Sequence, residues 1–350
     1  MDPLRQEIIK NSNLPYCITE QVSLKNKNWF HTGGNAQFFA RPSTAQEFQD
    51  ALSFADTHQL PITLLGEGAN VLISDEGIAG LVISPALKEL HITSYDGDDQ
   101  HMLVHVGAGV SMHDLINYCL ENNLTGLEEF SGIPGSVGGS VYINLHYFEF
   151  LLSQFLVSGK VIDKKNREII DVDHEWFCFG YNYSSLHKGE HYLINATFKL
   201  KKATDQEKFY AQGRRDEIMR HRFKRYPTSR TCGSFFRNFF DHEVTLTSAG
   251  KKMIYVAYYL DKVGIKGELK NGDALVSYQH ANMIINQGSA TTHDIIMLAR
   301  TMQQFVFDQF GIIPQPECLP QFDIRFSQPP LILHMLKLAH NECPVHHELK

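Results

Sequence analysis

Two short motifs in this chain carry side chains suited to proton chemistry. Residues 230–238 read Arg-Thr-Cys-Gly-Ser-Phe-Phe-Arg-Asn, which sets Ser234 after a glycine and before two aromatics and an Arg-Asn pair. The G-x-S-x-G elbow of a serine nucleophile is absent. A serine hydroxyl can instead donate a proton, although a serine in such a setting is more often a turn or cap residue. The second motif is Pro314-Gln315-Pro316-Glu317-Cys318. A lone glutamate there is usually structural, yet a carboxyl framed by prolines is also suited to acid–base work.

Two glycine turns are built for a different task. Gly132, Ile133, Pro134, Gly135, Ser136, Val137, Gly138 and Gly139 form a stretch whose backbone can approach a ligand closely. Its N–H groups can point at an anion. From Glu89 to Gly159 there is no Lys or Arg, against nine Asp or Glu, so an anion held here is expected to rely on backbone dipoles. The pattern is neither a Walker loop nor G-x-G-x-x-G, and a tight turn between packed elements is the plain alternative. The second turn, Gly66-Glu67-Gly68-Ala69-Asn70, lies between the runs Ile62–Leu65 and Val71–Ser74. That reads as strand, turn, strand, without the helix that a Rossmann site needs. Both turns suit one elongated dinucleotide lying across them.

The surrounding elements follow from capping and periodicity. Ser43-Thr44-Ala45-Gln46-Glu47 predicts a capping box before a helical stripe of Phe48, Ala51, Leu52 and Ala55. Ser111 to Asp114 predicts a second helix with Leu115, Ile116, Cys119 and Leu120 on one face. Met102–Val106 reads as a strand, 94–101 as a turn, 160–203 as strands and turns, and 204–225 as a charged helix. Thr291 to Asp294 opens a long amphipathic helix carrying Ile295, Leu298, Ala299, Met302, Phe305 and Val306. At 350 residues the chain is long enough for two or three domains. Its net charge of −7 argues against a general nucleic-acid binder. No apolar run approaches the roughly 18–20 residues of a membrane span, and no signal core opens the chain. Six scattered cysteines without a C-x-x-C pair suggest reduced thiols in the cytosol.

The whole series of motifs resembles the bacterial UDP-N-acetylenolpyruvoylglucosamine reductases over roughly residues 24–322. The matching blocks include 28–36 (Asn-Trp-Phe-His-Thr-Gly-Gly-Asn-Ala), 65–72, 106–110, 126–139, 179–181, 233–238, 276–282 and 310–317. The resemblance implies an α+β fold with an FAD-binding domain of the vanillyl-alcohol-oxidase (PCMH) type in two subdomains, followed by a C-terminal substrate domain. The implied boundaries are a lead-in at 1–27, an FAD domain at 28–204, a substrate domain at 205–325 and a tail at 326–350. The short spacing from Tyr181 to Ser234 matches the branch without an extra substrate loop. The implied activity is cytoplasmic, by a monomer, in peptidoglycan precursor synthesis. FAD, reduced by NADPH, passes hydride to UDP-N-acetylglucosamine enolpyruvate. Ser234 is then the implied proton donor and Glu317 the stabiliser of the enolate. The implied cofactor contacts are Gly66, Gly68, Ala69, Asn70, Gly132, Ile133, Pro134, Gly135, Ser136, Gly138 and Gly139. The implied substrate contacts are Tyr181, Arg237, Asn238, His280 and Asn282. No metal, nucleic acid or membrane is implied.

Several positions depart from the family pattern. Asn182 stands where the family has an arginine that polarises the substrate carboxylate, and Arg230 or Arg237 are the cations available to replace it. Leu145-His146-Tyr147-Phe148-Glu149-Phe150 replaces a small, glycine-rich run, and residues 239–262 are longer than is typical. Trp29, Ala69 and Phe239 replace threonine, serine and proline. These departures leave two other readings: a weak or non-catalytic FAD or UDP-sugar binder, and an FAD oxidase of the same superfamily with another substrate. In the tail, His340, Cys343, His346 and His347 are set against a plain solvated terminus.

Overall fold

The computed structural model describes residues 14–317 and the backbone of 319–321; the metal-type residues of the tail and Cys318 lie outside the described residues. The chain begins with β1 (Ile18–Ser23) and β2 (Asn35–Ala40), then α1 (Ala45–Thr57), β3 (Ile62–Leu64), β4 (Val71–Ile73) and β5 (Ile78–Ile83). Strands β1, β2, β5 and β3 form one sheet in that order, parallel except for the edge strand β1. Residues 18–23, expected in the polar lead-in, are therefore part of the first sheet. Their alternate burial, with Ile18 inward, is the period-2 signature of an edge strand. Helix α1 starts as its capping box predicts: Thr44 accepts the Glu47 N–H, and Ser43 donates to the Glu47 carboxylate. Phe48, Ala51, Leu52 and Ala55 enter the core.

A second, antiparallel sheet follows. It contains β6 (Leu90–Ser94), β7 (His101–Gly107), β8 (Leu124–Thr125), β11 (Leu156–Asp163), β12 (Ile169–Asp173) and β13 (His191–Lys202). Between these strands lie α2 (Met112–Glu121), α3 (Val137–Tyr142) and the hairpin of β9 (His146–Tyr147) with β10 (Phe150–Leu151). Helix α4 (Asp205–Arg225) packs back on this half, where Ala211 joins the first core. It carries buried side chains only at Ala211 and Ile218, as its charged sequence predicts.

The remaining chain builds a smaller domain. The long stretch 239–262 contains the hairpin β14 (Thr247–Ser248) with β15 (Lys251–Lys252) and the short helix α5 (Val256–Lys262). Strands β16 (Lys270–Asn271), β17 (Ala274–Val276) and β18 (Ile284–Asn286) form an antiparallel sheet against α6 (Thr292–Phe310). Ile295, Leu298, Ala299, Met302 and Val306 of α6 are buried. Phe305 departs from the expected stripe and stays 42% exposed, because it lies at the margin of the helix face rather than on it.

Several contacts join the two halves. Phe30 and Leu72 of the first half insert into the second core, and Asn286 donates to the Phe30 carbonyl. Strand β19 (Leu319–Gln321) returns to pair in parallel with β4. Asp75 caps α6 across the junction, accepting the N–H groups of Thr292 at 2.9 Å and His293 at 3.1 Å. A carboxylate at a helix N-terminus satisfies orphan donors and meets the positive end of the helix dipole. Replacing Asp75 with alanine is expected to destabilise the protein by about 1–3 kcal/mol, measured by urea denaturation. Asp75→Asn, which keeps an acceptor, should lose less.

Candidate active site

The stretch Ser234–Arg237 is clamped between two other extended segments. Ser234 bridges Met283 and Phe236 bridges Pro316. The Phe235 N–H donates to the Asn282 carbonyl at 2.8 Å, and Glu317 N–H donates to the Phe235 carbonyl at 2.8 Å. Arg237 N–H donates to the Gln315 carbonyl at 2.9 Å. Phe235 and Phe236 are buried anchors in the second core. Gly233 before them has φ +83° and open space around its missing Cβ, so its backbone angle is what calls for glycine. Ser234 and Glu317, distant in sequence, are thereby set on adjacent strands.

Glu317 is half-buried. Burial pushes its carboxyl up to about 7, while the Arg237 charge and a hydrogen bond from the Asn182 side chain pull the other way. Such a carboxyl exchanges its proton near neutrality, a property suited to acid–base work. The Tyr181 hydroxyl is raised by partial burial and by the Glu317 charge, and lowered by Arg237. Tyr181, Asn182, Arg237 and Glu317 therefore share one electrostatic neighbourhood. Asn182 has φ +52° and a buried Oδ1 without a hydrogen-bond partner among the described residues. The bulky run 145–150 borders the same place: the His146 ring lies 5.1 Å from Tyr181.

Three expected substrate contacts have other duties. Asn282 is 3% exposed and uses both ends of its amide on Phe236, accepting its N–H at 3.0 Å and donating to its carbonyl at 2.7 Å. His280 accepts the Asn282 N–H through Nδ1, and its burial holds the imidazole neutral, down to about 4. Asn238 accepts the Val256 N–H and helps start α5. These bonds brace the Ser234 strand, and in Asn282 they take up both ends of the side-chain amide. Arg237 is also committed: its guanidinium pairs with Glu243 in two 2.7 Å bonds. Sequence reading missed Glu243 because nothing in the motif 230–238 points six residues downstream.

The glycine turns meet as expected for one shared ligand. A Cβ on Gly66 would come within 2.6 Å of Ser136 Oγ. The Gly135 N–H holds the Glu67 carboxylate at 3.2 Å, which shows that this amide receives an anionic oxygen. A cavity of about 570 Å³ opens here, lined in part by Trp29, Gly66, Glu67, Gly109 and Ser136. Its wall also carries Lys27, Arg41, Lys88 and Arg230. The expectation that backbone alone would hold an anion is thus corrected, since folding imports cations from outside the acidic stretch. Ser131, just before the Gly132–Gly139 turn, keeps a buried hydroxyl unpartnered among the described residues. Amide donors, cations and an aromatic face around one cavity fit a dinucleotide such as FAD.

Not every glycine faces that cavity. Gly132 packs on α4, where a Cβ would meet Met219 Sδ at 2.7 Å, and its carbonyl accepts from Arg222. Gly68 lies against the 27–28 backbone, where a Cβ would come within 2.3 Å of the Lys27 carbonyl oxygen. Ala69 and Asn70 complete the turn into β4, while Ile133 packs on the first core. Pro134 precedes α3, whose first turn contains Gly138 and Gly139 and whose Ser136 cap accepts the Gly139 N–H.

Residues 36–172 match the FAD binding domain family, which with the cavity places the chain among FAD-binding α+β oxidoreductases. Residues 225–319 match the family described as UDP-N-acetylenolpyruvoylglucosamine reductase, C-terminal domain. A protein of that name from Clostridium novyi is 31% identical, covering 84% of this chain and 89% of its own. A second, from Trichormus variabilis, is 32% identical over 86% and 85%. The crystal structure of UDP-N-acetylenolpyruvylglucosamine reductase (MurB) from Thermus caldophilus superposes with a TM-score of 0.67 at 28% identity, covering 85% of this chain and 98% of that one. The chain belongs to the UDP-N-acetylenolpyruvoylglucosamine reductase family.

The raised carboxyl has a consequence for stability. Folding lifts Glu317 from 4.5 to about 7, so its contribution is complete below pH 4.5 and is lost as pH rises through about 7. Glu317→Gln removes that loss. Its stability relative to the wild type should grow between pH 5 and pH 8 by up to about 3 kcal/mol, measured by denaturant melts at both pH values. A difference independent of pH would count against the raised carboxyl.

Proposed function

We propose that this protein reduces UDP-N-acetylglucosamine enolpyruvate to UDP-N-acetylmuramate with NADPH, a step of peptidoglycan precursor synthesis. The observation that carries the reading is the backbone pairing of the Ser234–Arg237 stretch with Pro316 and the half-buried Glu317, in a chain that matches both an FAD binding domain and a MurB-type C-terminal domain. Bound FAD supplies the hydride chemistry, which no side chain of the chain can provide. The residues toward it are Gly66, Glu67 and Ser136 of the two turns, with Lys27, Arg41, Lys88 and Arg230 as counter-charges.

The protein's own groups act on the enolpyruvyl end. Hydride arriving at the β-carbon leaves negative charge spread toward the substrate carboxylate. Glu317 in its neutral form donates a hydrogen bond to that charge, which a carboxylate would repel. Ser234 gives its proton to the α-carbon. A serine is a weak acid, so its alkoxide needs the nearby positive charge of Arg237. Tyr181, 49% exposed beside both groups, is placed to contact the substrate.

The division into an FAD unit at 28–204 and a substrate unit at 205–325 goes with this reading, with one refinement. Helix α4 belongs by packing to the first half, and the C-terminal family match starts where it ends. Among the described residues, no helix is long and apolar enough to cross a membrane.

Anaerobic stopped-flow absorbance tests the proposal. NADPH should bleach the oxidised-flavin band, and the enolpyruvyl substrate should restore it. Ser234→Ala is expected to bleach at the wild-type rate and to form product about 10²–10⁴-fold more slowly. Equal loss of both half-reactions in that variant would remove Ser234 from the proton-donor role.

A further inference from the structure

The family's carboxylate-polarising arginine is absent at position 182, and the sequence offers two cations to replace it. Their places in the fold differ. Arg230 lines the cofactor cavity, whereas Arg237 acts electrostatically on both Glu317 and Tyr181. Arg237 is also held unusually firmly. Nη1 and Nη2 each donate to one oxygen of Glu243 at 2.7 Å, and Nη1 also donates to the Asn238 carbonyl at 2.9 Å. The guanidinium lies 4.3 Å over the Phe240 ring. Glu243 is itself fixed, since it accepts the Phe240 N–H at 2.7 Å. Both partners of the pair are largely shielded, with side chains 17% and 26% exposed. A planar bidentate pair over an aromatic face allows the guanidinium few orientations. Phe240 in turn meets the Tyr181 ring edge-on, 6.5 Å away, which ties the clamp to the residue preceding Asn182.

We propose that Glu243 is a positioning residue: together with Phe240 it fixes Arg237 as the cation that serves the substrate carboxylate in place of the missing arginine at position 182. The inference rests on the proposed function and deepens it. The extra length of 239–262 gains a purpose by it, because that stretch delivers Phe240 and Glu243. Asn182 then keeps a neutral acceptor in the site, its Oδ1 unpartnered among the described residues, where a second guanidinium would crowd the first.

The test uses the FAD-loaded enzyme and separates the two half-reactions. Glu243→Gln should leave NADPH-driven bleaching unchanged. It should raise the concentration of UDP-N-acetylglucosamine enolpyruvate needed for half-maximal flavin recovery by about 10-fold or more. Glu243→Asp, which keeps the countercharge, should recover much of that loss. Adding Asn182→Arg to Glu243→Gln should also restore tighter substrate use, because it returns a cation to the vacated place. Should Glu243→Gln fail to take up FAD, Arg237→Lys replaces it, since a lysine keeps the charge without spanning both carboxylate oxygens. An unchanged half-saturating concentration in Glu243→Gln or Arg237→Lys, or no restoration by Asn182→Arg, would overturn the inference alone. A wild-type enzyme that bleaches and never recovers with this substrate would overturn the functional reading, and the inference with it.

Discussion

Residues Gln315–Glu317 and the strand β19 (Leu319–Gln321) carry the geometry on which the rest depends. The former pair with the Ser234 strand and set Glu317 beside Phe235. Strand β19 pairs with β4, the strand that leaves the Gly66–Asn70 turn. Backbone pairing therefore links the Ser234 stretch, Glu317 and the strand that follows the Gly66–Asn70 turn. Backbone pairing suits this role because extended strands fix spacing rigidly, and sites built on such elements are more exact than sites on free loops. The prolines at 314 and 316 add stiffness and remove backbone donors that the segment does not need.

The second half of the molecule braces that segment from the other side. Asn282 spends its whole side chain on Phe236, and His280 is kept neutral to accept the Asn282 N–H. Buried polar groups that are fully paired specify one arrangement, whereas a loose one would cost stability. The motif His280-Ala281-Asn282 thus supports the Ser234 strand. The same economy appears at Gly132, where a glycine that looked like part of an anion cradle makes room for helix α4.

Electrostatically, the molecule keeps two different regimes apart. In the cofactor cavity, four cations line the same wall as Gly66 and as Ser136 of the acidic stretch. At the Ser234–Glu317 site, Arg237 is offset by Glu243, and burial is the largest influence on Glu317. A fully exposed or strongly cation-paired glutamate would stay ionised at neutral pH and repel an enolate. Partial burial next to an internally neutralised arginine permits a proton to remain.

The sequence by itself determined the elements and the types of chemistry. Capping boxes at Thr44 and Thr291 located helices, and the strand–turn–strand reading of 62–73 excluded a Rossmann site, because such signals are local. Motif order identified the family and pointed to Ser234 and Glu317. Tertiary structure alone decided which groups meet. Lys27, Arg41 and Lys88 reach the cavity from the flanks of the first sheet. Glu243 reaches Arg237 only because the chain turns at 241–243. The early strand 18–23, polar on its outer face, is obscured in the sequence because an edge strand shows only half its residues to the core. Whether a glycine serves a ligand or a helix, and whether a charge is free or already paired, depends on neighbours distant in sequence, and periodicity does not carry that information.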